Sequence, residues 1–158
     1  MVVVGIAMLQ GARHAHIDAI QRASDELSLT TKVVELRTVE DLQQQDIDAL
    51  LLPGGESTVM RLRGNDEASR LLPALFAWMR ENEARPVLAT CAGAILLADP
   101  QDGGPPLVDA EIDRNAYGGQ VDSFESTLDC GFPGVFIRAP RFGEVRDDVE
   151  CTLSGEAV

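Results

Sequence analysis

Three cysteines and two histidines are the readiest nucleophiles and bases in this sequence of 158 residues. Cys91 has the setting that chemistry could use. Around it, Val87-Leu88-Ala89-Thr90-Cys91-Ala92-Gly93-Ala94-Ile95-Leu96-Leu97 passes from an apolar run through a thiol and small residues to a second apolar run. That order reads as strand, sharp turn, helix. It is the nucleophile elbow usually written G-x-S-x-G, with Ala89 in place of the first glycine. Small neighbours let the chain turn tightly and lift the side chain clear. The helix that opens at Cys91 has unpaired N–H groups at its mouth. Its dipole favours a negative sulfur, and the Ala92 N–H could face a developing oxyanion. The plainer alternative is a small buried hydrophobe in a βα turn, and for Cys130 and Cys151 that alternative is preferred.

A second motif sharpens the choice. In Leu51-Leu52-Pro53-Gly54-Gly55-Glu56-Ser57-Thr58-Val59-Met60-Arg61-Leu62 a strand is stopped by Pro-Gly-Gly and followed by polar residues. Paired glycines allow backbone conformations closed to other residues, so a peptide N–H can point into a site. Glu56 and Ser57 could grip a polar substrate; the plain alternative is a βα loop with Ser57 as helix N-cap. Two such loops, both expected at carboxyl ends of strands in one small domain, are more specific than either alone, because ligands of parallel sheets collect at that edge.

The elements that must position these loops alternate. Val2 to Leu9 is nearly all apolar, as expected of a parallel strand covered on both faces. Ile17, Ile20 and Leu27 recur at helical spacing among charged residues. Lys32 to Arg37 reads as a second strand, and Thr38 with Asp41 predicts a capped short helix. Asp48 to Gly55 is a third strand. Asp66 is expected to cap a helix through Leu71, Leu75, Trp78 and Met79, bent or restarted at Pro73. A fourth strand leads into Cys91. This predicts an α/β fold, a three-layer sandwich with a mostly parallel central sheet, and an antiparallel or mixed excursion after about residue 100. The length suits a single domain over residues 1–158.

Composition narrows the function classes. Hydrophobic residues make up 45%, a globular proportion. Acidic residues number 26 against 13 basic ones, a formal net charge of −13, and Lys32 is the only lysine. Such a surface argues against nucleic acid and anionic membranes as partners. Because the acidic residues are spread along the chain, adaptation to high salt is favoured over simple solubility. The amino-terminal stretch has no basic leader or cleavage site of a signal peptide. Three widely spaced cysteines form neither a disulfide framework nor a zinc pattern, so a reducing cytoplasm is expected, with no metal and no cofactor.

Together the motifs resemble those of the class I glutamine amidotransferase family, and more narrowly its branch of glutaminase subunits of pyridoxal 5'-phosphate synthase. The resemblance rests on "LQGARHAH" (9–16), "LLPGGESTVMRL" (51–62), "TCAGAILLA" (90–98), "DRNAYGGQVDSFE" (113–125) and "GVFIRAP" (134–140), in the family's order. It implies that the Cys91 thiolate attacks the side-chain amide of L-glutamine, with N–H groups near Gly55 and Ala92 holding the oxyanion. It also implies glutamine contacts from Gly55, Glu56, Ser57, Arg114, Ile137 and Arg138, and passage of ammonia to a synthase subunit that makes the vitamin B6 cofactor.

The family takes its base from a His-x-Glu motif near the carboxyl end. The sequence stops at Val158 without one, and its only histidines are His14 and His16. Both are read as surface or partner-facing. The sequence is therefore expected to be either a glutaminase domain lacking its carboxyl-terminal segment or a truncated, inactive pseudo-glutaminase that only binds the synthase. A different α/β cysteine hydrolase is the remaining alternative. Ala15, Gly119 and Tyr117 depart from the family pattern.

Overall fold

A computed structural model of the chain describes residues 1–11, 13–113, 116, 123–136, 140–146 and 148–150. The chain divides into two compact units, Met1–Leu107 and Val108–Val158.

The first unit is built on a four-stranded parallel sheet in the order β2-β1-β3-β4. The strands are β1 (Val2–Ala7), β2 (Thr31–Leu36), β3 (Ala49–Leu52) and β4 (Val87–Ala89). The helices are α1 (Arg13–Glu26), α2 (Val39–Gln44), α3 (Ser57–Gly64), α4 (Leu71–Glu81) and α5 (Ala92–Ala98). The step from β1 to β2 runs one way across the sheet, and the steps to β3 and β4 run the other. Right-handed crossovers then put α1 on one face and α2, α3 and α4 on the opposite face, and α4 packs against both α2 and α3. These are the expected layers. The sheet fills with Ile6, Leu36, Leu50 and Leu52, and the helices cover it with Met60, Leu71, Leu72, Leu75, Phe76 and Leu96, all essentially inaccessible to solvent. No helix among the described residues is long and apolar enough to cross a membrane.

Side-chain caps open two of the helices, α2 and α3. Thr38 caps α2 through the Asp41 N–H, while the Asp41 carboxylate accepts from the Thr38 N–H, so the expected capping box forms. Asp66 does not cap α4. Its Oδ1 accepts from the Ala68 N–H at 2.8 Å, which closes a separate turn. The helix instead begins after Arg70, held at φ 45°. Pro73 becomes the third residue of α4, in the first turn, where no N–H is needed, so it starts the helix and does not bend it. Leu27 lies beyond the end of α1 and is exposed, so it takes no part in that helix's apolar face. Helix α3, for which the sequence offered Ser57 as an N-cap, follows the Pro-Gly-Gly stop and opens one residue earlier, after Glu56.

Two arginines fasten the segment after α5 to the helices. Arg61 of α3 is buried and donates to the carbonyls of Asp99 and Pro100. Arg80 of α4 grips Asp102 with two hydrogen bonds, 2.5 and 3.0 Å. That hydrogen bond holds the Asp102 carboxyl below its ordinary value and raises Arg80.

The second unit contains two antiparallel pairs, as expected beyond residue 100. Strand β5 (Ala110–Asp113) pairs with β8 (Arg141–Val145) across an irregular register, and β6 (Phe124–Thr127) pairs with β7 (Pro133–Phe136). Phe124 and Phe136, opposite each other in that pair, stack at 4.7 Å.

Candidate active site

The elbow forms as its sequence requires. Thr90 extends the ladder of β4 by donating its N–H to the Leu52 carbonyl at 3.0 Å. Cys91 then turns the chain with φ 51° and ψ −120°, and α5 starts at the next residue. A non-glycine residue in so sparsely populated a region costs about 1–3 kcal/mol and persists only where its surroundings over-determine it. Here they do. The Thr90 carbonyl accepts from Gly93 at 2.9 Å, and the Cys91 carbonyl accepts from Ala94 at 3.0 Å. Gly93 is packed so tightly that a Cβ on it would lie 2.3 Å from the Leu52 carbonyl oxygen. Only glycine lets α5 approach the end of β3 that closely. The result is an exposed Cys91 thiol beside a buried Ala92. As first residue of α5, Ala92 has an N–H with no acceptor inside the helix.

The structure brings the second motif to the same place. A Cβ built on Gly54 would meet Cys91 Cβ at 2.7 Å and Sγ at 3.4 Å. The Pro-Gly-Gly turn therefore lies against the thiol, and glycine is what makes room for it. Gly55 and Glu56 follow, both exposed, and Ser57 is half-buried. Glu56, and not Ser57, is the N-cap of α3. Its two carboxylate oxygens accept from the N–H groups of Thr58 and Val59 at 3.1 and 2.9 Å. Ser57 is the first residue inside the helix. An acidic N-cap also suits the positive end of the helix.

Two nearby side chains carried no role in the sequence reading. Gln10, just past β1, accepts the Glu56 N–H on its Oε1 at 2.7 Å and fixes the Gly55-Glu56 corner. His16, in the first turns of α1, places Nε2 3.2 Å from Thr90 Oγ1. His14 is exposed, as expected, but His16 is half-buried against the residue that precedes the thiol. Both lie in the "LQGARHAH" stretch, just after the carboxyl end of β1. Their position on that edge was the available signal, but the partner residues 46 and 74 positions away were not visible in it.

A hollow of about 330 Å³ is lined by Met8, Leu9, Arg37, Thr38, Arg63 and Ser69 among others. It contains none of the candidate residues. Arg114, Ile137 and Arg138 lie outside the described residues, as does Cys151.

An exposed thiol on a strained elbow, with a glycine turn against it, fits nucleophilic attack on a carbonyl carbon. Comparison with known proteins gives this arrangement its family. A model described as the SNO glutamine amidotransferase family matches residues 6–157. The chain belongs to that family. Among its relatives is a protein from Thermococcus onnurineus (strain NA1) named "Pyridoxal 5'-phosphate synthase subunit PdxT". It is 42% identical over 163 aligned residues, covering 94% of this chain and 78% of that protein. A protein of the same name from Haemophilus ducreyi (strain 35000HP / ATCC 700724) is 44% identical, over 93% of this chain and 75% of the relative. Another, from Methanothermobacter thermautotrophicus, is 39% identical over 95% of this chain and 77% of its own length. Membership in a glutamine amidotransferase family agrees with the α/β fold and with the resemblance drawn from the five motifs.

Proposed function

We propose that this protein is the glutaminase subunit of a pyridoxal 5'-phosphate synthase. It hydrolyses L-glutamine to glutamate and ammonia, and the ammonia passes to a synthase subunit for vitamin B6 biosynthesis. Family membership and the name shared by the relatives support the reaction and the assembly. The observation that carries the site is the exposed Cys91 thiol on its strained turn, in contact distance of Gly54.

In this reading the Cys91 thiolate adds to the side-chain amide carbon of glutamine. The carbon–sulfur bond forms as the carbonyl π electrons move to oxygen. The N–H groups of Gly55 and Ala92 receive the oxyanion. The tetrahedral adduct collapses, the carbon–nitrogen bond breaks, and nitrogen leaves as ammonia after taking a proton. Water then adds to the γ-glutamyl thioester, and loss of the sulfur returns glutamate and the thiolate. Glu56 acts through its backbone and through the cap that fixes the corner, because its carboxylate accepts from α3. Ser57, Ile137 and the guanidinium groups of Arg114 and Arg138 complete the glutamine site; an arginine pairs well with an α-carboxylate. By the resemblance the base would be the histidine of a His-x-Glu motif, and the sequence of 158 residues contains no such motif. A cytoplasmic setting and adaptation to high salt accompany this reading.

The test is ammonia release from L-glutamine by the whole gene product together with a synthase subunit. Cys91→Ala is expected to reduce turnover by about 10⁴-fold or more, as for members of a nucleophile–base unit. A glutamine-mimicking electrophile should label Cys91 and neither Cys130 nor Cys151. Turnover retained in Cys91→Ala overturns the assignment. A stable complex with no turnover at all leaves partner binding as the protein's role.

A further inference from the structure

His16 is used by no step above, yet it touches the elbow. Thr90 is held at three points. Its N–H donates to Leu52 at 3.0 Å, its carbonyl accepts from Gly93 at 2.9 Å, and its Oγ1 lies 3.2 Å from His16 Nε2. The two backbone bonds tie Thr90 to β3 and α5, the elements adjoining the turn. The third ties it to α1, which the crossover rule places on the sheet face opposite α3. The residue so held is the one before Cys91, whose φ of 51° requires outside support.

We infer that His16 is a positioning residue for the nucleophile: through Thr90 it holds the Cys91 turn in the geometry that sets the thiol beside Gly54 and the Ala92 N–H. This rests on Cys91 being the nucleophile of the glutaminase. His16 does not touch glutamine in this scheme and takes no proton from the thiol. The His16–Thr90 bond works with either ring tautomer, because a hydroxyl both donates and accepts.

The experiment compares His16→Ala, His16→Gln and Thr90→Val in the whole gene product with its synthase partner, with Cys91→Ala as control. A glutamine amide reaches about as far as Nε2 and can donate or accept. In His16→Ala, kcat is expected to fall about 10- to 100-fold, the scale of a catalytic group displaced by about 1 Å, with KM changed less than about 3-fold. His16→Gln should recover most of kcat. Thr90→Val keeps the shape of threonine and should match His16→Ala, and the double variant should be no worse than either single one. Amide exchange across residues 90–95 should quicken in His16→Ala and Thr90→Val and return in His16→Gln. This last readout needs no turnover, so it decides the positioning role even if Cys91→Ala shows that the glutaminase reading is wrong. Wild-type kcat in Thr90→Val, multiplying losses in the double variant, or unchanged exchange at the elbow would each overturn the proposal. Thr90→Val supplies the answer if His16→Ala fails to fold.

Discussion

At the scale of single residues, the thiol and the turn beneath it have opposing interests. Cys91 sits at φ 51°, ψ −120°, a conformation that glycine adopts freely and cysteine does not. Replacing it with glycine should relieve about 1–3 kcal/mol of strain and give back about 0.5–1 kcal/mol through the greater freedom of the unfolded chain. Cys91→Gly is therefore expected to be inactive yet more stable by about 1 kcal/mol, measured by denaturant unfolding at a fixed m-value. A variant less stable than the parent would show that the turn is not strained. Gly54 shows the complementary logic, since its missing side chain is the space that the thiol occupies. The sequence announced both residues through the elbow and Pro-Gly-Gly patterns. It did not announce Gln10 or His16, because an amide and an imidazole near a strand end acquire a role only from what folding places opposite them.

Among the elements, the carboxyl-terminal stretch of the first unit depends on charge pairs with α3 and α4. Asp102 is held below its ordinary value chiefly by the hydrogen bond from Arg80, with burial opposing. A carboxylate lowered on folding stabilises the native state fully above its unfolded value. That contribution is lost as pH falls through the lower folded value. The Arg80–Asp102 pair should thus help until pH drops below about 4, the ordinary carboxylate range, and fade beneath it. Melting temperatures from pH 6 to pH 2 should fall less steeply for Asp102→Asn than for the parent, the two curves converging at the acid end. Parallel curves would remove Asp102 from the account of acid sensitivity. Helix boundaries were legible where a side chain closes on its own backbone, as in the Thr38–Asp41 box. They were misread where several residues offered similar caps. Asp66 and Ser57 both looked suitable, but Asp66 closes a separate turn and Glu56 took the place expected of Ser57.

For the whole molecule, the net charge of −13 acts on every packed surface at once. Repulsion among exposed carboxylates weakens the compact state at low ionic strength. The Debye length falls from about 10 Å at 0.1 M to about 3 Å at 1 M salt, which removes most of that repulsion. The melting temperature should rise from low to molar potassium chloride. Sulfate at matched ionic strength should raise it further by strengthening apolar burial. A flat or falling melting temperature in chloride would leave the acidity as ordinary solubility and dismiss adaptation to high salt.

The alternation of apolar runs with amphipathic segments was enough to determine a parallel α/β sheet, because a strand covered on both faces and a helix covered on one have different periods. The residues around Cys91 and Gly54 were enough to suggest a thiol nucleophile beside a loop that could grip a polar substrate, and the amide of glutamine came from the family resemblance. Only the tertiary structure decided that these loops touch. Adjacency of β3 and β4 in the sheet sets Leu52 against Thr90, and the absence of side chains at Gly54 and Gly93 lets the two turns close to contact. It likewise decided that Glu56 caps a helix and that His16 lies beside Thr90. Hydrogen bonds between residues far apart in the chain depend on distances that no local pattern encodes.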